Sequence, residues 1–205
     1  MGGGISGRMF WLLTAAWAVG LVLSGIAPYD RLTWLMEVLP AIIAWPILFT
    51  TRQRFRFSDL AMALIALHGL ILMLGGAYTY ARVPLGFWLQ DWLQLERNPY
   101  DRIGHLAQGF VPAIIARELL LRVFRIGSRG LVGFLAVCIC LAISATYELI
   151  EWAAALSLGQ GADEFLGTQG DEWDTQSDMF MALIGALAAL LLARWHDRQM
   201  QRQGK

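Results

Sequence analysis

Long apolar runs separated by short polar connections dominate the hydrophobic pattern of this chain. Six of the runs are close to the ~20 residues that a helix needs to cross a bilayer, and a seventh run is shorter and mixes apolar with polar positions, as a surface-lying helix does. The pattern predicts an all-α fold, namely a polytopic membrane helical bundle with six transmembrane helices, one short interfacial helix and a single domain over residues 1–205. The predicted spans are residues 9–27, 33–50, 59–80, 103–121, 131–156 and 176–195, and the interfacial helix is residues 84–95.

Composition supports a location in a lipid bilayer. The chain is 57 % hydrophobic and only 16 % charged, whereas a soluble domain is about 25 % charged. Its formal net charge is zero, so bulk charge indicates no nucleic-acid partner. Small residues such as Gly75, Gly76, Gly185 and Ala186 suit close helix packing within or between chains, which leaves an oligomer open.

The basic residues predict the orientation of the spans. Of the sixteen Lys and Arg residues, twelve fall in one alternating set of connections and termini, and only Arg31, Arg82, Arg97 and Arg102 fall in the other. Cytoplasmic connections carry the excess of Lys and Arg in membrane proteins. We therefore expect a multi-pass membrane protein with both termini in the cytoplasm.

Acidic residues concentrate between the last two spans. The stretch from Tyr147 to Asp178 holds eight of the sixteen acidic residues and no Lys or Arg. Carboxylates at the edge of a membrane are costly unless they bind a cation, share protons or face a polar cavity. The sequence therefore predicts a polar site at the outer face.

Helical spacing arranges the polar residues of three spans into stripes at a similar depth. Residues three, four or seven positions apart share one face of a helix, and Glu37 lies about one turn inside the second span. The stripes are Asp101, His105 and Gln108 in the fourth span, Ser144, Glu148 and Glu151 in the fifth, and Asp171, Asp174 and Asp178 in the sixth.

Clustered carboxylates in a low dielectric need compensation. A divalent cation could supply it, some carboxylates could hold protons, or Arg31, Arg97 and Arg102 could fold inward. The mixture of carboxylates with one imidazole suits a divalent metal ion of unknown identity. The predicted ligands are Asp101, His105, Glu148, Glu151, Asp174 and Asp178, supported by Glu37, Gln108, Arg102 and Tyr147.

Several reaction classes lack their motifs in this chain. We find no Gly-x-Ser-x-Gly nucleophile, no His-Glu-x-x-His zinc helix, no Gly-rich phosphate loop and no Cys-x-x-Cys pair. Whether the protein is an enzyme is left open, and Glu148 and Glu151 are the candidates for a catalytic role.

Three motifs carry a resemblance to a known family. With Asp101-Arg-Ile-Gly-His105, Tyr147-Glu-Leu-Ile-Glu151 and Gly170-Asp-Glu-Trp-Asp-Thr-Gln-Ser-Asp178, most of the chain resembles the YjdF-like family of bacterial inner-membrane proteins. The resemblance implies a polytopic inner-membrane protein and brings no established activity or catalytic residue.

A more distant resemblance is to VanZ-like proteins, which are associated with glycopeptide-antibiotic tolerance. Those proteins usually carry Lys, Gln and Asn where this chain has Arg102, Glu151 and Ala182. An antibiotic-related role is therefore not carried over to this chain.

Three functional hypotheses follow from these residues. The first is an outward-facing site that binds a divalent cation, together with the headgroup of a lipid or cell-envelope precursor on which it would act. The second is a proton- or cation-coupled transporter, which needs a polar path to the cytoplasm. On that path the sequence offers only His68 and Ser144 before the apolar cytoplasmic halves of the last three spans. The third is a structural or partner-binding membrane protein without catalysis.

Overall fold

Helices form all the regular secondary structure of the described chain in this computed structural model. The structure describes residues 7–158 and 168–203, and within them no strand occurs. The predicted all-α class is therefore confirmed. In chain order the helices are α1 (Gly7–Ile26), α2 (Arg31–Thr51), α3 (Asp59–Tyr78), α4 (Pro84–Leu93), α5 (Tyr100–Arg122), α6 (Arg129–Leu158), α7 (Asp174–Leu191) and α8 (Ala193–Gln203).

Local capping explains where several helices begin. Asp30 Oδ1 accepts a hydrogen bond of 2.7 Å from the backbone N–H of Thr33 at the start of α2. Ser58 Oγ accepts one of 3.2 Å from the N–H of Ala61 at the start of α3. Pro84 opens α4, where its missing N–H costs nothing. Asp30 and Ser58 thus each satisfy an N–H group that a helix start leaves without an intrahelical partner.

Four helices are by themselves long and apolar enough to cross a membrane, namely α1, α2, α3 and α6. The bent pair of α7 and α8 is a fifth when it is counted as one span. The helix α5 has 23 residues, but its polar stripe and its charged C-terminal turn make it much less apolar. The described chain is thus an integral membrane bundle, and the count of six spans stays a prediction.

A bend falls within the last predicted span. Residues 176–195 were expected to form one span, but α7 ends at Leu191 and the chain bends by 54° into α8. Contacts with α5 hold α8 in place, because His196 Nε2 lies 3.2 Å from Glu118 Oε2 and Arg117 donates a 2.9 Å hydrogen bond to Asp197. These partners are distant in sequence, so local hydropathy carries no sign of the bend.

The central helix of the bundle is α5, which packs against α3, α6 and α7, while α3 also packs against α1 and α2. The closest approach is between α5 and α7. A methyl group at Gly109 would overlap the backbone of Ala182, and one at Gly185 would overlap the backbone of Leu106. The two glycines therefore allow the backbones to touch, as small residues do in membrane helix pairs.

The outer surface of the bundle is apolar. Large side chains such as Trp11, Val22 and Leu23 of α1 are exposed, as expected for a surface that lipid covers. The predicted short helix is present as α4. Its Trp88 and Trp92 are 75 % and 78 % exposed, which suits the headgroup region where Trp is enriched.

The two ends of the bundle differ in charge. The acidic end comprises the start of α5, the end of α6 and the start of α7. The basic end comprises the α2–α3 and α5–α6 connections and α8. On α5 the distance from Asp101 to Arg117 corresponds to about 24 Å at 1.5 Å per residue, so the two ends lie on opposite sides of the membrane if α5 spans it.

A buried polar cluster at the basic end was not predicted. Ser58, Glu118 and His196 are all fully buried, and we call them the basic-end cluster. Glu118 accepts a 2.8 Å hydrogen bond from the backbone N–H of Ser58 and pairs with Arg122. The expectation of apolar cytoplasmic halves in the last three spans was therefore wrong for α5. Arg122 is one turn from Glu118 on α5, but Ser58 and His196 come from other parts of the chain, so the sequence contains no motif for this cluster.

Candidate functional site

Asp101, His105 and Asp178 form the tightest group of potential metal ligands in the described part of the chain, and we call them the acidic site. One ligand atom from each residue lies within 4.8 Å of the other two. His105 Nε2 is 3.5 Å from Asp101 Oδ1 and 3.8 Å from Asp178 Oδ2. Asp101 and His105 share a face because they are one turn apart on α5. Asp178 joins them because α7 lies directly against α5.

The spacing within the acidic site is longer than direct hydrogen bonding requires. Hydrogen bonds between nitrogen and oxygen are about 2.7–3.2 Å long. Two ligands about 2.1 Å from one tetrahedral metal ion are about 3.4 Å apart. The observed separations of 3.5 and 3.8 Å are ion-pair distances and are also close to the spacing of two ligands around a shared ion.

Several buried polar atoms around the acidic site have no hydrogen-bond partner among the described residues. They are His105 Nδ1, Asp178 Oδ1 and Glu148 Oε1. Most buried polar groups in proteins are hydrogen-bonded to protein or to ordered water. These atoms therefore mark places where water, an ion or a ligand would be stabilised.

Two carboxylates of α6 face the acidic site. Glu148 and Glu151 are both buried, and both lie within electrostatic range of Asp101 and His105. The side chain of Thr175 also lies near Glu148. Neither residue belongs to the tight group of three, so both lie beside it as further buried carboxylates.

Arg97 neutralises the carboxylate at the start of α7. Its Nη1 lies 2.6 Å from Asp174 Oδ1, and its Nη2 lies 3.4 Å from Asp171 Oδ2. Burial by itself lowers the pKa of Arg97, but Asp174 and Asp171 outweigh it and raise the pKa above its usual range. Asp174 thus has a cationic partner already, whereas among the described residues Asp101 and Asp178 form ion pairs only with His105. Arg102 lies 3.4 Å from Asp171 and is more exposed.

Polar contacts join the α4–α5 connection to the segment before α7. Asn98 N–H donates to Gln169 Oε1 at 3.1 Å, and Gln169 Nε2 donates to the Asn98 carbonyl at 3.0 Å. Arg97 also donates to the Thr168 carbonyl at 2.8 Å. These hydrogen bonds hold the α4–α5 connection against the segment before α7 at the acidic end. Asp163 and Glu164, which the sequence places in the acidic stretch, lie outside the described residues.

A cavity of ≈ 190 Å³ extends from the acidic site between α2, α3, α5 and α6. The Tyr147 hydroxyl donates a 2.8 Å hydrogen bond to Glu37 Oε2 in its wall. His68 Nε2 and Gln108 Oε1 also line it, and both lack a partner among the described residues. A water molecule takes up about 30 Å³ in the liquid, so the cavity has room for several waters or a small polar group.

The structure brings most of the predicted site residues together. Asp101, His105, Glu37, Gln108, Tyr147 and Glu151 share the cavity wall. Sequence reasoning missed Tyr80, a buried residue of the same wall. The sequence indicates Tyr80 only indirectly, through Gly75 and Gly104, where a methyl group would overlap the Tyr80 ring.

The fold and the site define a class of protein, namely an all-helical integral membrane protein with a buried group of carboxylates and histidine. The chain belongs to the family described as "Predicted membrane protein (DUF2238)", whose model matches residues 9–198.

A relative supports the same assignment. The chain is 58 % identical over 185 residues to the inner membrane protein YjdF of Escherichia coli (strain K12). The matched residues cover 90 % of this chain and 88 % of that protein. The predicted YjdF-like resemblance is confirmed, and the chain is an inner-membrane protein. The VanZ-like resemblance receives no support from these comparisons. No solved structure matches the chain.

Proposed function

We propose that this inner-membrane protein binds one divalent cation at the acidic site, on the side of the membrane away from the cytoplasm, with both termini in the cytoplasm. Asp101, His105 and Asp178 are the proposed ligands from the protein. The headgroup of a lipid or cell-envelope precursor is the proposed further ligand, lying in the adjoining cavity.

The observation that carries this proposal is the convergence of three ligand atoms within 4.8 Å. Two of the three residues, His105 and Asp178, each also keep an unpartnered buried atom. The site also has the number of protein ligands that metal sites with an open position use.

The ligand types narrow the cation. Imidazole favours zinc, iron, nickel and copper, whereas carboxylates alone favour magnesium, calcium and manganese. One imidazole with two carboxylates therefore fits Zn²⁺, Fe²⁺ or Mn²⁺ better than Ca²⁺. The remaining ligand positions are open to water or to an oxygen of a headgroup.

The same arrangement suits hydrolysis or transfer at a phosphorylated headgroup. A bound cation supplies a Lewis acid for a phosphoryl oxygen and offsets the acidic surroundings. Glu148 and Glu151 are the proposed bases for an attacking water, since both are buried beside the site and Glu148 Oε1 is unpartnered. Asp174 is less suited to that role because Arg97 already pairs with it.

Metal content tests the cation proposal. We expect about one equivalent of metal by mass spectrometry in protein purified in detergent without a metal-affinity tag, and its loss in His105→Gln and Asp178→Asn. Glu172→Gln, an exposed acidic residue of the same end, is the matched control and should keep the metal. An absence of metal in wild type, also after incubation with Zn²⁺, Fe²⁺ or Mn²⁺, would contradict the proposal.

The double variant Glu148→Gln, Glu151→Gln separates metal binding from catalysis. We expect this double variant to lose metal-dependent turnover of a phosphorylated lipid, with a smaller effect on metal content. Wild-type turnover in the double variant would remove these residues as bases. Turnover that persists after metal removal would show that the cation takes no part in the reaction.

Transport is a second candidate, because the cavity reaches His68 and Gln108 deeper along the helices. A cluster of small and apolar residues, including Ala113, Ile114 and Cys140, separates this cavity from the basic-end cluster. Continuous polar passage would require that region to open. Proton or cation flux in proteoliposomes that His68→Ala abolishes would favour transport over the cation site described above.

A further inference from the structure

A second cavity lies at the basic end, far from the acidic site. It has a volume of ≈ 210 Å³ between the start of α1, the end of α2 and the α2–α3 connection. Phe10, Leu48 and Met62 form its buried apolar floor. Arg52 and Arg56 lie in its wall. The cavity therefore joins an apolar base to a cationic rim at the end of membrane helices.

Aromatic rings hold Arg52 in position. Its guanidinium carbon lies 4.9 Å from the ring centre of Phe10, 4.7 Å from that of Phe49 and 5.3 Å from that of Trp11. These contacts are within the range of cation–π interaction. The rings thereby hold the guanidinium at the wall of the cavity.

The positive charge of this cavity is uncompensated within the described residues. Neither Arg52 nor Arg56 forms an ion pair there. Other arginines of the basic end do have acidic partners, namely Arg122 with Glu118, and Arg117 and Arg129 with Asp197. The general excess of basic residues on one side of a membrane protein accounts for the number of arginines. It does not account for two of them lining a cavity with an apolar floor.

A phospholipid headgroup matches this combination. Phosphate oxygens accept paired hydrogen bonds from a guanidinium, and basic cavities between membrane helices bind anionic headgroups. The acyl chains would continue along exposed apolar side chains near the same end, such as Leu12 of α1 and Ile47 of α2. We propose that Arg52 and Arg56 bind the phosphate of an anionic phospholipid in this cavity.

Lipid retention in native mass spectrometry tests this site directly. We expect wild-type protein to retain phosphatidylglycerol about tenfold better than phosphatidylcholine, and Arg52→Gln, Arg56→Gln to lose most of that preference. Arg56→Gln alone leaves the Arg52 stacking intact and should lose part of it. Arg54→Gln is the matched control, because Arg54 is exposed in the same connection and does not line the cavity.

Three results would overturn the proposal. One is equal retention of the two lipids by wild type. Another is a loss in Arg54→Gln as large as in Arg56→Gln, which would indicate diffuse surface charge. The third is displacement of phosphatidylglycerol by millimolar inorganic phosphate, which would indicate a site for free phosphate. Circular dichroism confirms that each variant is folded before its lipids are counted.

Discussion

Asp178 of α7 approaches to 3.8 Å of the His105 imidazole although the two residues are distant in the chain. The approach depends on Gly109 and Gly185, where the backbones of α5 and α7 are in contact. Close packing at these two glycines thus sets the distance between the proposed ligands. Changes to this packing are expected to affect stability and the acidic site together.

Gly109→Ala should destabilise the protein by about 1–3 kcal/mol, because the added methyl group overlaps the backbone of Ala182 and forces the helices apart. Unfolding in detergent measures the free energy, and metal content should fall in parallel. Gly133→Ala is the control, since its methyl group meets only Leu190 at ordinary contact distance. Equal effects of the two substitutions would show that close packing of α5 and α7 is unimportant.

Arg97→Gln should lower the free energy of unfolding by about 1.5–3 kcal/mol, because it removes charged hydrogen bonds to Asp174 and to the Thr168 carbonyl. Arg102→Gln should cost at most about 1 kcal/mol, since its longer contact with Asp171 is partly exposed.

A double-mutant cycle separates the Arg97 pair from other effects. The variant Arg97→Gln, Asp174→Asn should be more stable than the sum of its single substitutions predicts, because the second change removes the unpaired carboxylate. Additive costs would show that the two side chains act independently.

Glu118→Ala should destabilise the protein by about 3–5 kcal/mol, because Arg122 and His196 lose a buried partner. Metal content should remain at the wild-type value, since Glu118 lies about 20 Å from His105 and about 26 Å from Asp101 along α5. Arg198→Gln, at an exposed position of α8, is the control and should change stability by no more than about 0.5 kcal/mol. Loss of metal in folded Glu118→Ala would instead show coupling between the two ends.

Asp30→Ala should cost about 1 kcal/mol through loss of the cap of α2, whereas Asp30→Asn should retain most of the stability. Hydrogen bonds from Thr33 lower the pKa of Asp30 below its ordinary value of 3.8. The contribution of its charge is therefore complete above that value and is lost as the pH falls through the lowered pKa. Stability measured between pH 6 and pH 3 should decline less in Asp30→Asn than in wild type.

The sequence by itself determined the features that depend on local composition. Apolar runs of membrane length predict helices, since a bilayer leaves backbone polar groups no partner outside their own helix. Capping residues such as Asp30 and Ser58 then mark where α2 and α3 begin. Helical spacing also places Asp101 with His105, and Glu148 with Glu151, on shared faces before any packing is known.

Tertiary structure decided which of those faces meet. Asp178 joins His105, and Asp174 joins Arg97 instead, because the contact at Gly109 and Gly185 sets how α7 lies against α5. The bend after Leu191 and the burial of Glu118 likewise arise from partners on other helices. Hydropathy and spacing describe one helix at a time, whereas these features depend on distances between helices that are remote in the chain.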